Sequence, residues 1–92
     1  AAQTERTSMS ATVEHITEGT LTLADVQEKV GGYFEAVKLK DGRYMLVNED
    51  GVLAGLPLNK EATQLMAELG PYPDRIVGNV VVVPQMGVVS TT

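Results

Sequence analysis

The chain has 92 residues, with seven basic and twelve acidic side chains, one His, four Pro, nine Gly and no Cys or Trp. That length holds one small domain with a marginal core, and the missing Cys excludes disulfides, thiolate nucleophiles and cysteine metal sites. A net charge of −5 argues against a nucleic-acid surface and against an anionic membrane face.

In chain order, Ala1–Thr12 shows no basic region followed by an apolar run, so no intact signal peptide is expected. Residues 1–11 are expected to be a flexible tail, 12–84 a single domain, and 85–92 a second tail. Thr12–Thr17 (TVEHIT) predicts a short strand, and Glu18-Gly19 a turn. Thr22–Val30 predicts a helix: Thr22 with Asp25 forms a capping box, and Leu23, Val26 and Val30 share one face. Gly31-Gly32 ends it.

Tyr33–Lys40 and Arg43–Asn48 are β-prone runs around Asp41-Gly42, a pair that favours a two-residue hairpin turn. That turn sets Lys40 opposite Arg43, Leu39 opposite Tyr44, Val37 opposite Leu46 and Glu35 opposite Asn48. One face then carries Tyr33, Val37, Leu39, Tyr44 and Leu46. The other is mixed, with Phe34, Ala36 and Val47 clustered at one end as a candidate interface.

Asn48-Glu49-Asp50-Gly51 predicts a turn, followed by a brief strand extension at Val52 and Leu53 and a loop at Gly55–Leu58. Asn59 caps a helix through Leu69 with Ala62, Leu65, Met66 and Leu69 as its apolar stripe. Gly70-Pro71 stops that helix. Arg75–Val83 predicts the strongest strand, apolar enough for burial on both faces or for self-association. Its apolar part is far shorter than the roughly 20 residues that span a bilayer. The order β-α-β-β-α-β predicts an α+β domain: a small antiparallel sheet with two helices on one face, ferredoxin-like or similar.

No catalytic set, metal-ligand set or cofactor motif emerges. His15 beside Glu14 and Glu18 could serve as a base, but the plainer reading is an exposed His among solvated charges. No Ser sits where a fold would hold its hydroxyl; Ser8, Ser10 and Ser90 lie near the ends. Aligning Gly51 with the glycine of a calcium loop puts Leu46 and Pro57 at the terminal ligand positions, which excludes an EF-hand. Gly78 inside a strand marks a bulge or a close backbone approach. Asn79 beside it reads as a partner contact or as an amide satisfying that bulge. Glu35, Asn48 and Glu49 gather polar groups at one end of the sheet, either as a binding site or as a solvated rim.

Four segments occur in order: Gly31-Gly32-Tyr33-Phe34-Glu35-Ala36-Val37, Met45-Leu46-Val47-Asn48-Glu49-Asp50-Gly51, Leu56-Pro57-Leu58-Asn59-Lys60-Glu61-Ala62-Thr63 and Ile76-Val77-Gly78-Asn79-Val80. Together they resemble a family of small uncharacterised proteins of bacteriophages, plasmids and their hosts, known only as a domain of unknown function. Asn48 stands where an acidic residue is expected in that pattern. The resemblance implies a phage or mobile-element protein acting in the cytoplasm of a bacterial host, and brings no catalytic residue with it.

The sequence thus predicts a non-enzymatic protein that binds a host or phage protein. Its candidate contacts are Tyr33, Phe34, Glu35, Val47, Asn48, Glu49 and Asn79. A homodimer through the final strand is expected, with no cofactor, metal, nucleic acid or membrane. The alternative is a binder of a nucleotide-like ligand, using Tyr33, Glu35, Asn48, Asn59 and Asn79 if Lys38, Lys40, Arg43 or Arg75 converge.

Overall fold

The helix expected after Thr22 forms as Leu23–Val30 (α1) in a computed structural model that describes residues 11–90. Thr22 Oγ1 accepts from the Asp25 backbone N at 3.0 Å, and Asp25 Oδ2 accepts from Thr22 N at 3.0 Å. The capping box therefore satisfies donors that a helix start leaves unpaired. Gly31 closes the helix at φ 86°, in the left-handed region. The Thr22 backbone N–H, and then its hydroxyl, hold the Asp25 carboxyl below the usual aspartate range. A depressed folded value means that this stabilisation is present above the unfolded pKa and is lost as pH falls through the folded one. Thr22→Ala should raise the Asp25 titration midpoint toward its ordinary value, as read by carboxyl-carbon NMR. Loss of the cap should also cost about 1 kcal/mol at neutral pH.

The strands are Val13–His15 (β1), Leu21–Thr22 (β2), Phe34–Lys38 (β3), Tyr44–Asn48 (β4), Val80–Val83 (β5) and Val89–Ser90 (β6). The second helix, Lys60–Leu69 (α2), starts on Asn59 as expected, with Asn59 Oδ1 accepting from Ala62 N at 3.0 Å. The main sheet runs β1-β5-β4-β3, and β2 pairs with β6 in a small second sheet. β1 and β5 are parallel, while β5–β4 and β4–β3 are antiparallel. The sheet is mixed rather than antiparallel. Its parallel edge pair has no place in the expected ferredoxin-like arrangement.

The two helices do not share a face. Val26 and Val30 of α1 pack with Leu46, Val81 and Val83, whereas Ala62 and Met66 of α2 pack with Met45, Val47, Val80 and Val82. The cause lies in β5. All four of its valines are buried, so alternate side chains demand cover on both sides. β5 is also an interior strand, so it offers no edge for the expected self-association.

The hairpin turns one residue wider than its Asp-Gly pair predicts. Leu39 N donates to Arg43 O at 2.7 Å and Gly42 N to Leu39 O at 3.0 Å, leaving Lys40-Asp41-Gly42 as the loop. A two-residue type I′ turn needs positive φ at both centres, including Asp41. Here only Gly42 takes it, at φ 95°, and among the described residues no non-glycine residue has positive φ. Asp41 instead turns its carboxylate on Arg43, accepting from the backbone N at 3.1 Å and from Nε at 2.8 Å. These Arg43 bonds, side chain first, hold the Asp41 carboxyl below the usual range.

The wider loop shifts the register. Val37 faces Met45, Ala36 faces Leu46, Glu35 faces Val47 and Phe34 faces Asn48. A one-residue slip moves every side chain of a strand to the other face. Leu46 and Tyr44 therefore join α1's side, and Met45 and Val47 join Val37 and Leu39 beneath α2.

Three further expectations change. The final strand begins only at Val80, because Gly78 takes φ 82° and leaves Val77 in an isolated bridge to Leu58. Val52 and Leu53 form a turn rather than a strand extension. Residues 85–90 are not a tail: a 3-10 turn at Met86–Val88 leads into β6, and Met86, Val88 and Val89 pack against α1's core. Residues 1–10, nearly all of the first expected tail, and 91–92, the end of the second, lie outside the described residues.

Candidate functional site

At the start of β3, the chain crosses to β4 through Glu49 N, which donates to Tyr33 O at 3.0 Å. Asn48 then fixes the following turn. Its Oδ1 accepts from Asp50 N at 2.8 Å, and its Nδ2 donates to Val30 O at 3.0 Å, tying the turn to the end of α1. Gly51 packs so closely on Val77 that a Cβ there would lie 2.8 Å from Val77 Cγ2. These ties shape a cavity of about 110 Å³ lined by Glu35, Val47, Asn48 and Glu49 from the hairpin, Gly51 and Val52 from the turn, and the segment from Asp74 to Val77.

Four of the seven expected contact residues thus meet, and Tyr33 stands beside them, 70% exposed. The grouping differs from expectation. Glu35 lies opposite Val47 rather than Asn48. Val47 is buried, while Phe34 packs on the α1 side, so the expected apolar patch of Phe34, Ala36 and Val47 does not form. Asn79 lies elsewhere. Its Oδ1 accepts from Thr12 N at 3.0 Å, which secures the segment leading into β1. It lines a cavity of about 310 Å³ with Thr12, Glu14 and Lys29.

Asp74 was not among the expected contacts, and Arg75 was named only as a cation for a nucleotide-like ligand. They reach the cavity because Thr63 of α2 clamps Ile76: Thr63 Oγ1 donates to Ile76 O at 3.2 Å and accepts from Ile76 N at 2.9 Å. A threonine one turn into a helix that follows an Asn cap was the available signal. Glu35, Glu49 and Asp74 make the rim acidic, with Arg75 as its cation. Beyond it, Val52 and Leu53 are 75% and 89% exposed.

His15 pairs with neither Glu14 nor Glu18. Its Nε2 lies 3.0 Å from Glu61 Oε2 of α2, while Glu14 takes Lys29 at 2.9 Å. His15 and Arg43 border cavities of about 230 and 190 Å³ on either side. Both members of the His15–Glu61 pair are solvent-exposed, so the contact is a surface hydrogen bond that contributes little to stability. The cations expected for a nucleotide-like ligand do not converge: Arg43 holds Asp41, and Arg75 lines a different cavity. Among the described residues, no group of three or more His, Asp or Glu could hold a metal, and no helix is long and apolar enough to cross a membrane.

Several residues of the four segments that carry the resemblance make tertiary ties. Asn59, fully buried, donates from Nδ2 to Thr12 O at 3.0 Å and to Gly78 O at 2.9 Å. Gly78 admits the Leu56 side chain, and Gly32 the Asn48 amide. No curated protein and no solved structure matches the chain. A family model does match, over residues 4–90, and the chain accordingly belongs to the family described as Domain of unknown function (DUF3846).

Proposed function

We propose that this protein is a small, non-enzymatic binding module that engages a host or phage protein through the turn after β4 and the acidic rim beside it. The observation that carries this reading is the pairing of the exposed Val52 and Leu53 with an ordered loop. Ala54 N donates to Asp50 O at 2.9 Å and Leu56 N to Gly51 O at 3.0 Å, so the loop is held rather than collapsed onto the core. A preformed apolar tip loses little freedom on docking. Tyr33 adds an amphipathic ring of the kind enriched at interfaces. Glu35, Glu49 and Asp74 favour a partner with basic groups around an apolar centre.

Both sheet faces are covered by helices, so docking falls to loops and edges. The rim cavity of about 110 Å³ lies well below the roughly 300–1,000 Å³ of ordinary ligand pockets, which favours a protein partner over a nucleotide-like ligand at this rim. The phage or mobile-element origin and the bacterial cytoplasm remain part of the proposal, resting on the sequence resemblance.

The test is a Val52→Ser, Leu53→Asp double variant, chosen because both side chains are exposed and the fold should tolerate their loss. Tagged wild type should retain a specific protein from its bacterial host. The variant should lose that protein at least about tenfold, as expected for a hot spot worth roughly 2 kcal/mol, with its thermal midpoint unchanged. Equal retention by both forms would overturn the reading.

A further inference from the structure

β3 is the outer strand of the main sheet. Its pairing with β4 determines which backbone groups remain. Leu39 N donates to Arg43 O, and Glu49 N donates to Tyr33 O. Hydrogen-bonded pairs alternate along an antiparallel ladder, so Tyr33, Glu35, Val37 and Leu39 turn their N–H and C=O groups toward β4. Phe34, Ala36 and Lys38 turn theirs outward, and among the described residues no backbone hydrogen bond reaches them. Glu35, Ala36 and Lys38 are exposed, so the edge is open over the length of the strand.

A free edge of this kind invites another strand, and three features indicate which one. We propose that β3 pairs antiparallel with β3 of a second copy about a two-fold axis at Ala36. First, an antiparallel partner must present its outward groups at alternate positions in step with this strand, and a second β3 does so by symmetry. Ala36 then exchanges both hydrogen bonds with the second copy's Ala36, and Phe34 does so with its Lys38. Every outward group of the strand is satisfied. Second, a two-fold axis sets one residue against itself at a Cα separation of about 5.5 Å. The residue there is Ala36, small and neutral. Third, no like charges meet: Lys38 lies across from Phe34, a cation on an aromatic ring, and Glu35 lies across from Val37. Shifting the axis to Glu35 would oppose two carboxylates.

The joint would make one continuous eight-stranded sheet from two four-stranded ones, with the core helices undisturbed. It leaves Val52 and Leu53 outside the contact and does not rest on the binding role proposed for them.

The deciding variant is Ala36→Pro. Proline lacks the N–H and is tolerated on an edge strand where that N–H faces solvent. Here it removes an outward donor and no bond of the β3–β4 ladder. In sedimentation and light scattering across micromolar to submillimolar concentrations, wild type should show twice the mass of one chain. Ala36→Pro should show a single chain with unchanged far-ultraviolet circular dichroism. Should that variant not fold, Ala36→Glu serves instead. It keeps every backbone donor, sets two carboxylates face to face, and should weaken the dimer at least about tenfold at low salt, with partial recovery at high salt. Wild type that stays monomeric throughout overturns the proposal, as does a dimer that survives in whichever of the two variants folds.

Discussion

Asn59→Ala is expected to cost about 2–4 kcal/mol, a large share of the roughly 5–14 kcal/mol that a domain of this length commands. The reason is the number of separate contacts served by one buried amide. Oδ1 caps α2 through Ala62 N, while the two Nδ2 hydrogens satisfy Thr12 O and Gly78 O. Alanine loses the cap, worth about 1 kcal/mol, and strands Gly78 O at roughly 1–3 kcal/mol, while Thr12 O keeps the bond from Val80 N at 2.9 Å. Asn59→Asp separates these contributions. Aspartate caps a helix as well as asparagine does, but it has no hydrogens for the two carbonyls and brings a charge into a buried site. It should therefore destabilise at least as much as alanine. Urea unfolding followed by circular dichroism measures both variants. An Asn59→Asp variant as stable as wild type would show that only the cap matters.

The second large effect concerns two neighbours in β4. Met45→Ala and Leu46→Ala should each cost about 2–5 kcal/mol, since both side chains are fully buried and leave cavities when truncated. In a sheet covered on one face, adjacent residues differ: one lies in the core and its neighbour faces water. Here Met45 lies under α2 and Leu46 under α1, so both are core. Pairwise cycles with the milder Leu39→Val test the register directly. Leu39 shares a cluster with Met45, and the two should couple by at least about 0.5 kcal/mol. Leu39 and Leu46 are in different clusters and should add within about 0.5 kcal/mol. A near-neutral Met45→Ala would instead restore the register implied by a two-residue turn.

Much of the local structure was legible before the tertiary structure. Thr22, Asp25 and Gly31 define α1 and Asn59 starts α2, because caps act within a few residues of the groups they satisfy. The unbroken valines of β5 carried the clue to a core on both faces. They were also consistent with self-association, and only the sheet order removes that reading for β5. The hairpin misled by one residue. Asp-Gly favours the tight turn, but the Arg43 side chain and the strain of a left-handed Asp41 tip the choice toward the wider loop. Each such difference is small, yet the slip reassigns a whole strand face.

The candidate site shows the same division. Tyr33, Glu35 and Glu49 could be named from their sequence neighbourhood, whereas Arg75 and Asp74 arrive through the Thr63 clamp, and Val52 and Leu53 become notable only once seen to be exposed. Asn48 and Asn79, read as contacts, spend their amide groups on Val30, Asp50 and Thr12.

The 92-residue sequence by itself determined the two helices, their caps and the α+β class, all of which depend largely on interactions between residues close in the chain. Only the tertiary structure decided the mixed sheet order, the face each helix covers, the strand left at the edge and the groups that meet at the rim. Those depend on pairings across tens of residues, such as Asn59 with Thr12 or β1 with β5. The alternatives there differ by a single register step or a single hydrogen bond, too little for local sequence preference to decide.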